Sequence, residues 1–495
     1  MVDVEVDVFK SKPGFDIVGL ADIAIQEAKN RIHSAMQNSG LKYPWSKRIL
    51  VNLAPADLRK EGPAFDLPMA LGIIRSAGEF DLEFLNIDLS DSLFIGQLGL
   101  DGSLRHTNGI LPVAIFAREK KIKKLFLPKP DAFEASLIGD IEIYPCENLS
   151  ELLDHILGNK LIEQFKINES EKEKFLDQKT DFDMAYVKGQ EHVKRAMEIA
   201  AAGAHNLLMN GPPGSGKTLL ARTFPTILPK MTKTEILEVT KIYSIAGMLD
   251  SEKPLVVHRP FRSPHHSAST AALVGGGRIP SPGEISLAHR GVLFLDELPE
   301  FPRPVLESLR QPLEDGVVSI SRAQGTLTFP ARFILICSMN PCPCGYLNDS
   351  ENQCACSANQ VMNYQKRISG PLLDRIDMHL EVPKVKFEKL ESDVLGETSE
   401  KIRQRVQSAR EIQEYRFKDS KFGTNAEMSS KDIRYFCVLN DQTIDLLRNA
   451  VKQMRLSARA YFRILKLSRT IADLANSESI ELNHVAEAIQ YRPKN

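Results

Sequence analysis

The sequence predicts an α/β protein with a phosphate-binding core, an α+β domain before that core and helices after it. Three observations lead to this prediction. Short apolar runs alternate with helical patterns up to about residue 385. A glycine-rich motif at 211–218 stands between an apolar run and a helical run. After about residue 390 only helical periodicity remains.

The amino-acid composition excludes some classes of protein for this chain. Its 495 residues predict about three domains, at roughly 150 residues per domain. The formal net charge of −1 excludes a histone-type wrapper of nucleic acid but allows local basic patches. No apolar run is long enough to span a bilayer, so we expect no membrane partner and a cytoplasmic location. In a reducing cytosol, clustered cysteines bind metal more often than they form disulfides.

Residues 1–160 are expected to form the α+β domain, and residues 161–184 a charged linker with few large apolar side chains. The helix predicted at Ile23–Met36 has apolar residues every three or four positions, at Ile25, Ala28, Ile32 and Ala35. Apolar runs predict buried strands at Ile49–Leu53, Leu93–Gly96 and Lys124–Pro128.

Residues 185–390 alternate strand and helix patterns and are expected to form the phosphate-binding core. Residues 391–495 show helical patterns only. The strongest helix is predicted over Tyr461–Ala475, with one apolar face formed by Ile464, Leu467, Ile471 and Leu474.

The motif at 211–218 predicts a site for a nucleoside triphosphate. It is formed by Gly211, Pro212, Pro213, Gly214, Ser215, Gly216, Lys217 and Thr218. Glycines let backbone N–H groups turn inward around an anion, and a helix start adds partial positive charge. Lys217 is expected to reach the β- and γ-phosphates of ATP, and Thr218 to place its hydroxyl on Mg²⁺. The alternative is a glycine-rich turn that matches the motif by chance.

Two adjacent carboxylates follow a second apolar run, Val292–Leu295. Four apolar residues fit a parallel strand that is covered on both faces. Asp296 is predicted to hold Mg²⁺ through water, and Glu297 to polarise the water that attacks the γ-phosphate. The alternative for Asp296 is an N-cap of the next helix.

A third apolar run, beginning at Phe333, ends at the polar residue Asn340. A polar side chain at such a strand end suits a group that positions water beside the phosphates. The alternative is an ordinary asparagine at a strand end.

Four of the seven cysteines form two close pairs, Cys342 with Cys344 and Cys354 with Cys356. Two pairs separated by a short loop can place four thiolates around one zinc ion. We predict a structural Zn²⁺ site inserted at 342–356, because four protein ligands leave no open position for water. The alternative is four free thiols in a surface loop.

Longer motifs resemble one family of nucleotide-binding proteins. The stretches concerned begin at Asn52, Val187, Phe261, Pro282 and Gly370 and surround the phosphate-binding motif. Together they resemble the magnesium-chelatase-like AAA+ ATPases of the YifB/ComM type over nearly the whole chain. The resemblance implies an AAA+ P-loop core with a helical lid at 391–495, and an ATP-hydrolysing hexamer. In its ComM branch it implies a DNA helicase that promotes branch migration during natural transformation.

The resemblance assigns two further residues to catalysis. Arg375 matches the arginine finger that such subunits insert into a neighbour's site, where it stabilises charge on the γ-phosphoryl group. Arg459 matches the sensor-2 arginine of the helical lid. Judged from the sequence alone, either residue could instead form a surface salt bridge.

The first domain resembles the Lon-protease fold, of ribosomal protein S5 domain 2-like type. Ala64 stands where that family carries its nucleophilic serine, and Leu111 stands where it carries the partner lysine. Neither side chain can act in a Ser–Lys dyad, so we expect a proteolytically inactive domain used for assembly or partner binding. Family members usually carry a further segment before this first strand, so the resemblance leaves the edge of the first domain open, with a truncated or mis-assigned start as the alternatives.

Two segments are candidates for contact with DNA phosphates. One carries Arg259, Arg262 and Arg278, and the other is a hairpin predicted over Val317–Phe329. Salt bridges between subunits are an equal alternative for these arginines. His265 and His266 have no carboxylate or cysteine nearby in the sequence, so packing or hydrogen bonding is favoured over metal binding.

The leading functional interpretation is a hexameric, ATP-driven motor that acts on single-stranded or branched DNA without reading its sequence. One alternative is a chelatase motor subunit that drives Mg²⁺ into a tetrapyrrole. Another is an AAA+ ATPase that remodels proteins.

Overall fold

The computed structural model describes residues 2–57, 60, 62–78, 87–166, 182–249, 255–277, 281–322, 325–347, 349, 352–385, 395–420 and 422–493. The chain folds into two compact units. The first comprises Met1–Asp177 and Tyr243–Leu255, and the second comprises Gln178–Ile242 and Val256–Asn495. Most of the predicted linker at 161–184 lies outside the described residues. Among the helices of the described part, none has the length and apolarity needed to cross a membrane.

The first unit begins with a three-stranded sheet. Its strands are β1 (Asp3–Phe9), β2 (Gly14–Val18) and β3 (Arg48–Ala54), with β3 in the centre, antiparallel to β1 and parallel to β2. Helix α1 (Ile23–Asn38) is capped by the Asp22 carboxylate, which accepts the Ile25 N–H at 2.8 Å. The four predicted apolar residues of α1 are buried, which confirms this helix and its core-facing side.

A second sheet in this unit contains the other two predicted strands. Strands β4 (Ser92–Phe94), β7 (Lys124–Pro128) and β8 (Glu142–Cys146) are parallel, in the order β4-β7-β8. Strands β5 (Gln97–Leu98) and β6 (Leu104–Arg105) form a short hairpin. The helices are α2 (Asp66–Ala77), α3 (Ile110–Glu119), α4 (Ala132–Ser136) and α5 (Leu149–Ile156).

The second unit is built on a five-stranded parallel sheet in the order β10-β13-β16-β9-β17. The three predicted apolar runs form its three middle strands. The strands of this unit are β9 (Leu207–Asn210), β10 (Phe261–Arg262), β11 (Gly275–Gly276), β12 (Ser281–Pro282), β13 (Val292–Leu295), β14 (Val317–Arg322), β15 (Gly325–Pro330), β16 (Ile334–Met339) and β17 (Met378–Glu381). The antiparallel pair β14–β15 confirms the predicted hairpin, whose turn residues 323 and 324 lie outside the described part.

Helices cover both faces of this sheet. Alternate strand residues point to opposite sides, so each strand contributes to two hydrophobic cores. Leu207 and Ile336 belong to the core on one face, which also contains residues of 191–228 and 402–491. Leu208 and Leu335 belong to the core on the other face, with residues of 273–320 and 364–376. The helices before the long C-terminal set are α6 (Glu191–Gly203), α7 (Lys217–Thr223), α8 (Lys233–Ile245), α9 (Thr270–Val274), α10 (Glu284–Leu287), α11 (Arg303–Ser308), α12 (Pro312–Asp315), α13 (Ala358–Gln365) and α14 (Gly370–Leu373).

The C-terminal segment is helical in its described part, as predicted. Its helices are α15 (Ser399–Arg416), α16 (Ser430–Phe436), α17 (Asp441–Gln453), α18 (Ala458–Leu474) and α19 (Leu482–Gln490). In α18, Ile464, Leu467 and Ile471 are buried in the core that also contains Leu207 and Ile336, and Leu474 packs against it partly buried. These contacts confirm the predicted apolar face.

A buried carboxylate joins the start of β17 to α18. Asp377 accepts the backbone N–H of Asn206 at 2.9 Å and forms an ion pair with Arg463. Burial alone raises the pKa of Asp377, but the Arg463 charge and the His205 imidazole outweigh it and hold that pKa far below its usual range. The ionised carboxylate therefore stabilises the folded unit.

Replacing Asp377 with asparagine should lower the free energy of unfolding by about 3 kcal/mol, because the partly buried Arg463 loses its buried partner. Because the folded pKa lies below the unfolded one, the carboxylate's contribution is present above about pH 4 and lost as the pH falls. Urea unfolding between pH 3 and 7 measures both effects. The exposed pair of Asp445 with Arg448 provides the control, since Asp445→Asn should change stability by less than about 1 kcal/mol. Equal effects of the two substitutions would contradict this account.

Candidate functional site

The phosphate-binding motif forms a tight loop between β9 and α7. Gly214 and Gly216 have positive φ angles of 77° and 84°, which glycine adopts without strain. A β-carbon on Gly211 would lie 2.2 Å from the carbonyl oxygen of Val382, so this position also requires glycine. The predicted strand–loop–helix context of the motif is confirmed.

Lys217 points its ammonium group into this loop. Its Nζ donates to the carbonyl oxygens of Gly211 and Pro212 at 2.7 and 2.9 Å, and lies 3.3 Å from Oδ1 of Asn340. Burial lowers the pKa of Lys217, whereas the charges of Asp296 and Glu297 raise it. The structure thus brings Asn340, predicted from the end of β16, to the phosphate-binding loop.

Asp296 lies at the end of β13, beside Thr218. The Thr218 hydroxyl donates to Asp296 Oδ2 at 2.9 Å, and the Ser338 hydroxyl donates to the other oxygen, Oδ1. The 3-10 helix that follows has Glu297 at its N-cap, with no side-chain cap hydrogen bond. The N-cap alternative for Asp296 is therefore wrong. A hydroxyl next to a carboxylate offers the oxygen ligands that Mg²⁺ prefers.

Glu297 has a left-handed backbone conformation, with φ at 53°, which is uncommon for a residue other than glycine. Its N–H donates to Asp296 Oδ1 at 3.1 Å and to the Ser338 hydroxyl at 3.3 Å. Its side chain is 55% exposed, with Oε2 at 3.4 Å from Nδ1 of His266. A carboxylate that is distant in the sequence therefore lies beside His266.

Sequence reasoning missed two residues that hold the site together. Ser338, inside β16, bonds Asp296 and the backbone of Glu297. Gln190 donates from Nε2 to the carbonyl oxygens of Ser215 at 2.8 Å and Pro383 at 2.9 Å. The only available signal was the position of Gln190 inside the motif that begins at Val187.

Arg375 lies at the opposite edge of the sheet from the phosphate-binding loop. Met378 at the start of β17 pairs with Leu207 at the start of β9, whereas the loop follows the end of β9. The four residues of β9 separate these edges by about 10 Å of backbone. The Arg375 guanidinium is buried, donates to the Pro371 carbonyl oxygen at 2.9 Å and forms an ion pair with Glu314.

Arg459 is exposed and its charge reaches the same glutamate. Hydrogen bonding from Arg375 lowers the pKa of Glu314, and the charges of Arg375, Arg459 and Arg310 contribute to the shift. Glu314 also lines a cavity of about 630 Å³ together with Asn206 and Asp377, which precede β9 and β17. The structure therefore pairs Arg375 with Glu314 at the amino edge of the sheet, and the charge of Arg459 acts on the same glutamate.

The four cysteines of 342–356 come together as predicted. All four sulfurs lie within 4.8 Å of one another, and the Sγ atoms of Cys342, Cys344 and Cys354 are 3.4–3.7 Å apart. A tetrahedral zinc site with Zn–S bonds of about 2.3 Å places its sulfurs about 3.8 Å apart. Backbone N–H groups of Tyr346 and Ala355 hydrogen-bond the Cys344 sulfur. This donor set fits zinc. The other cysteines, Cys146, Cys337 and Cys437, are buried singly.

Two of the three arginines proposed to contact DNA are held by carboxylates of the same unit. Arg259 lies 3.0 Å from Glu235, and Arg262 forms a two-point pair with Glu284 at 2.6 and 2.7 Å. Arg278 lies outside the described residues. These contacts favour the salt-bridge alternative for Arg259 and Arg262, within one chain rather than between subunits.

Comparisons with known proteins agree along the whole chain. Family models described as magnesium chelatase subunit ChlI match residues 183–390 and 4–131, and a model of the ChlI C-terminal part matches 396–492. The chain is 45% identical to competence protein ComM of Haemophilus influenzae, over 99% of this chain and 94% of that protein. It is 41% identical to the uncharacterized protein YifB of Escherichia coli, over 99% and 94%. It is 27% identical to the 38 kDa magnesium-chelatase subunit of Cereibacter sphaeroides, over 33% and 54%.

Proposed function

This chain belongs to the YifB/ComM-type magnesium-chelatase-like family, and on that premise we propose that it is an ATPase that drives a hexameric motor on DNA. One observation carries the ATPase part of the proposal. At one edge of a buried parallel sheet, Lys217 bonds the phosphate-binding loop and Asn340, while Thr218 bonds Asp296 and Glu297 stays exposed. These are the groups that a phosphoryl-transfer site requires.

ATP would be held by the backbone N–H groups of 211–218 and by the Lys217 ammonium. Thr218 and Asp296 would hold Mg²⁺, which neutralises charge on the β- and γ-phosphates. Glu297, whose carboxylate is exposed, would polarise the attacking water. Asn340 would orient that water, next to the lysine it already contacts.

Assembly into a ring is supported by the position of Arg375. Arg375 pairs with Glu314 at the edge opposite the phosphate-binding loop. An arginine at that edge can act on ATP only in a neighbouring subunit, where it would stabilise charge on the transferred phosphoryl group. Opening of the pair between Arg375 and Glu314 would accompany this contact.

Action on DNA is supported by the competence protein that resembles this chain along its full length. We extend this to a helicase that promotes branch migration during recombination or natural transformation. The chelatase alternative has weaker support, because two magnesium-chelatase subunits match only 46% and 33% of this chain, at 25% and 27% identity. Protein remodelling is the third candidate. Strand displacement on a labelled three-stranded or four-way junction discriminates among them, with ATPase stimulation by branched DNA as the second readout.

The first unit is proposed to lack protease activity and to serve assembly or partner binding. Ala64 and Leu111 occupy the positions of the expected Ser–Lys dyad. The Ala64 carbonyl oxygen accepts the Gly96 N–H at 3.0 Å, and the Leu111 N–H donates to the Glu134 carboxylate at 2.7 Å. Neither position offers a nucleophile or a base.

Lys217→Ala should abolish detectable ATP binding, because the phosphates lose their positioned ammonium. Glu297→Gln should keep ATP binding but lower the hydrolysis rate about 10²–10⁴-fold, because only activation of the water is lost. A fluorescent ATP analogue measures binding, and phosphate release measures hydrolysis. Glu119→Gln, which changes an exposed glutamate of the first unit, is the matched control and should leave both ATP binding and hydrolysis unchanged. Normal hydrolysis by Glu297→Gln would overturn the role given to that carboxylate.

Arg375→Ala should keep ATP binding and lower hydrolysis steeply, since an arginine finger contributes about 10³–10⁵ in rate. Mixing it with Lys217→Ala should restore part of the activity, because some interfaces then pair an intact loop with an intact arginine. Arg448→Ala, which removes an exposed arginine paired with Asp445, is the control and should keep most activity. Thermal unfolding checks that Arg375→Ala still folds. If no mixing ratio restores activity, the arginine does not act across subunits.

One Zn²⁺ per chain is expected at Cys342, Cys344, Cys354 and Cys356. Metal analysis of the purified protein should find it, and replacing Cys342 and Cys356 with serine should remove it. Cys437→Ala, which changes a cysteine buried outside the cluster, should leave the metal content unchanged. A metal-free wild-type protein with full ATPase activity would exclude any required role for the zinc.

A further inference from the structure

We infer that the four-cysteine loop is a support of the phosphate-binding loop, so that metal binding and nucleotide binding are energetically coupled. This inference rests on the proposed function, because it needs both a zinc ion at the cysteines and ATP at 211–218. The observation behind it is the contact of Gly345, inside the cysteine loop, with Pro213, inside the phosphate-binding loop.

Gly345 lies next to Cys344, in a turn where its N–H donates to the Cys342 carbonyl oxygen at 3.0 Å. Its φ angle is 85°. A β-carbon added to Gly345 would lie 2.6 Å from Cδ and 3.2 Å from Cγ of Pro213. The backbone of the cysteine turn therefore rests directly on the proline ring, and a side chain larger than hydrogen cannot fit between them.

Pro213 cannot bind a phosphate through its backbone, because proline has no N–H. What it contributes is position, with a fixed φ inside a loop whose other N–H groups and carbonyl oxygens must point in set directions. The carbonyl oxygens of Gly211 and Pro212, immediately before it, bind Lys217. A shift of Pro213 therefore moves the backbone that places this lysine.

Three further connections hold the two loops together. Asn340, bonded to Lys217, comes two residues before Cys342. On the far side, Lys384 forms an ion pair with the buried Asp349 carboxylate at 3.0 Å, and its ammonium lies 5.7 Å from the centre of the Tyr346 ring. The Gln190 side-chain amide donates both to the carbonyl oxygen of the neighbouring Pro383 and to that of Ser215 in the phosphate-binding loop.

Because of these contacts, a change in the conformation of the cysteine turn also changes the conformation of the phosphate-binding loop. With a metal bound, four sulfurs fix the turn, whereas without it the thiols impose no single arrangement. By linkage, whatever factor the metal adds to nucleotide affinity, the nucleotide must add to metal affinity. The cysteine site then acts on the nucleotide site without touching ATP.

The first test measures zinc affinity of the full-length chain by competition with a chromophoric chelator, with and without a non-hydrolysable ATP analogue. The analogue should tighten zinc binding at least about fivefold, the lower end of usual coupling. It should have no effect in Lys217→Ala, which binds zinc but not nucleotide. Conversely, removing zinc should weaken binding of a fluorescent ATP analogue by the same factor.

The outcomes separate the possible failures. A wild-type chain that binds no nucleotide in either metal state overturns the proposed function, and this inference with it. A chain that binds nucleotide but no zinc removes the metal from both proposals. A chain that binds both, with equal zinc affinity in the presence and absence of nucleotide, overturns the coupling alone.

A double-mutant cycle tests the contact itself. Gly345→Ala should keep zinc and weaken nucleotide binding about fivefold or more, because the new methyl group pushes on Pro213. Combined with Pro213→Ala, which removes the ring atoms that the methyl group meets, the same substitution should cost much less. Gly139→Ala is the matched control, since Gly139 also has a positive φ, at 66°, but open space around its β-carbon. If the effects of Gly345→Ala and Pro213→Ala simply multiply, the two loops do not act through this contact.

Discussion

Parallel pairing of buried strands is the constraint on which the rest of the second unit depends. Strands β9, β13 and β16 run in the same direction with both faces covered, so their side chains are apolar apart from Asn210 at the end of β9 and Ser338 near the end of β16. The residues that follow the three strands then meet at one edge. Gly211, Asp296 and Asn340 occupy these positions, and the helix that carries Lys217 and Thr218 begins beside them. The functional groups of the site therefore lie where the buried strands end.

The same constraint sends the strand beginnings, and the residues before them, to the opposite edge. Arg375 lies there with its guanidinium on Glu314, and Asp377, two residues later, ties this edge to α18 through Arg463. The phosphate-binding loop and Arg375 of one chain therefore lie at opposite edges of the sheet. Under the proposed function, a second subunit would bring these two halves of the catalytic apparatus together. Within the single chain, Arg375 is paired with Glu314.

The cysteine insertion follows from the same geometry. It begins two residues after Asn340, at the edge where the phosphate-binding loop lies, so a compact turn at this point cannot avoid that loop. Glycine at 345 makes the approach possible, because a β-carbon would overlap Pro213. A second ion pair, Lys384 with Asp349, holds the far end of the insertion against the segment after β17. The cysteine loop is thus packed against the phosphate-binding loop rather than being a separate appendage.

The sequence by itself determined the features that depend on near neighbours in the chain. Apolar periodicity predicted the helix at Ile23–Met36 and the three middle strands, and the glycine spacing of 211–218 predicted its loop. The spacing of the paired cysteines predicted the four-cysteine cluster for the same reason, since a short turn is enough to bring their sulfur atoms together. Tertiary structure alone decided the partners that are distant in sequence: Gln190 on Ser215, Ser338 on Asp296, His266 on Glu297 and Gly345 on Pro213. It also decided that Arg259 and Arg262 bind carboxylates of their own chain. A local pattern records which face of an element is buried, but it does not record which other element covers that face, and ion pairs and close backbone contacts depend on that second fact.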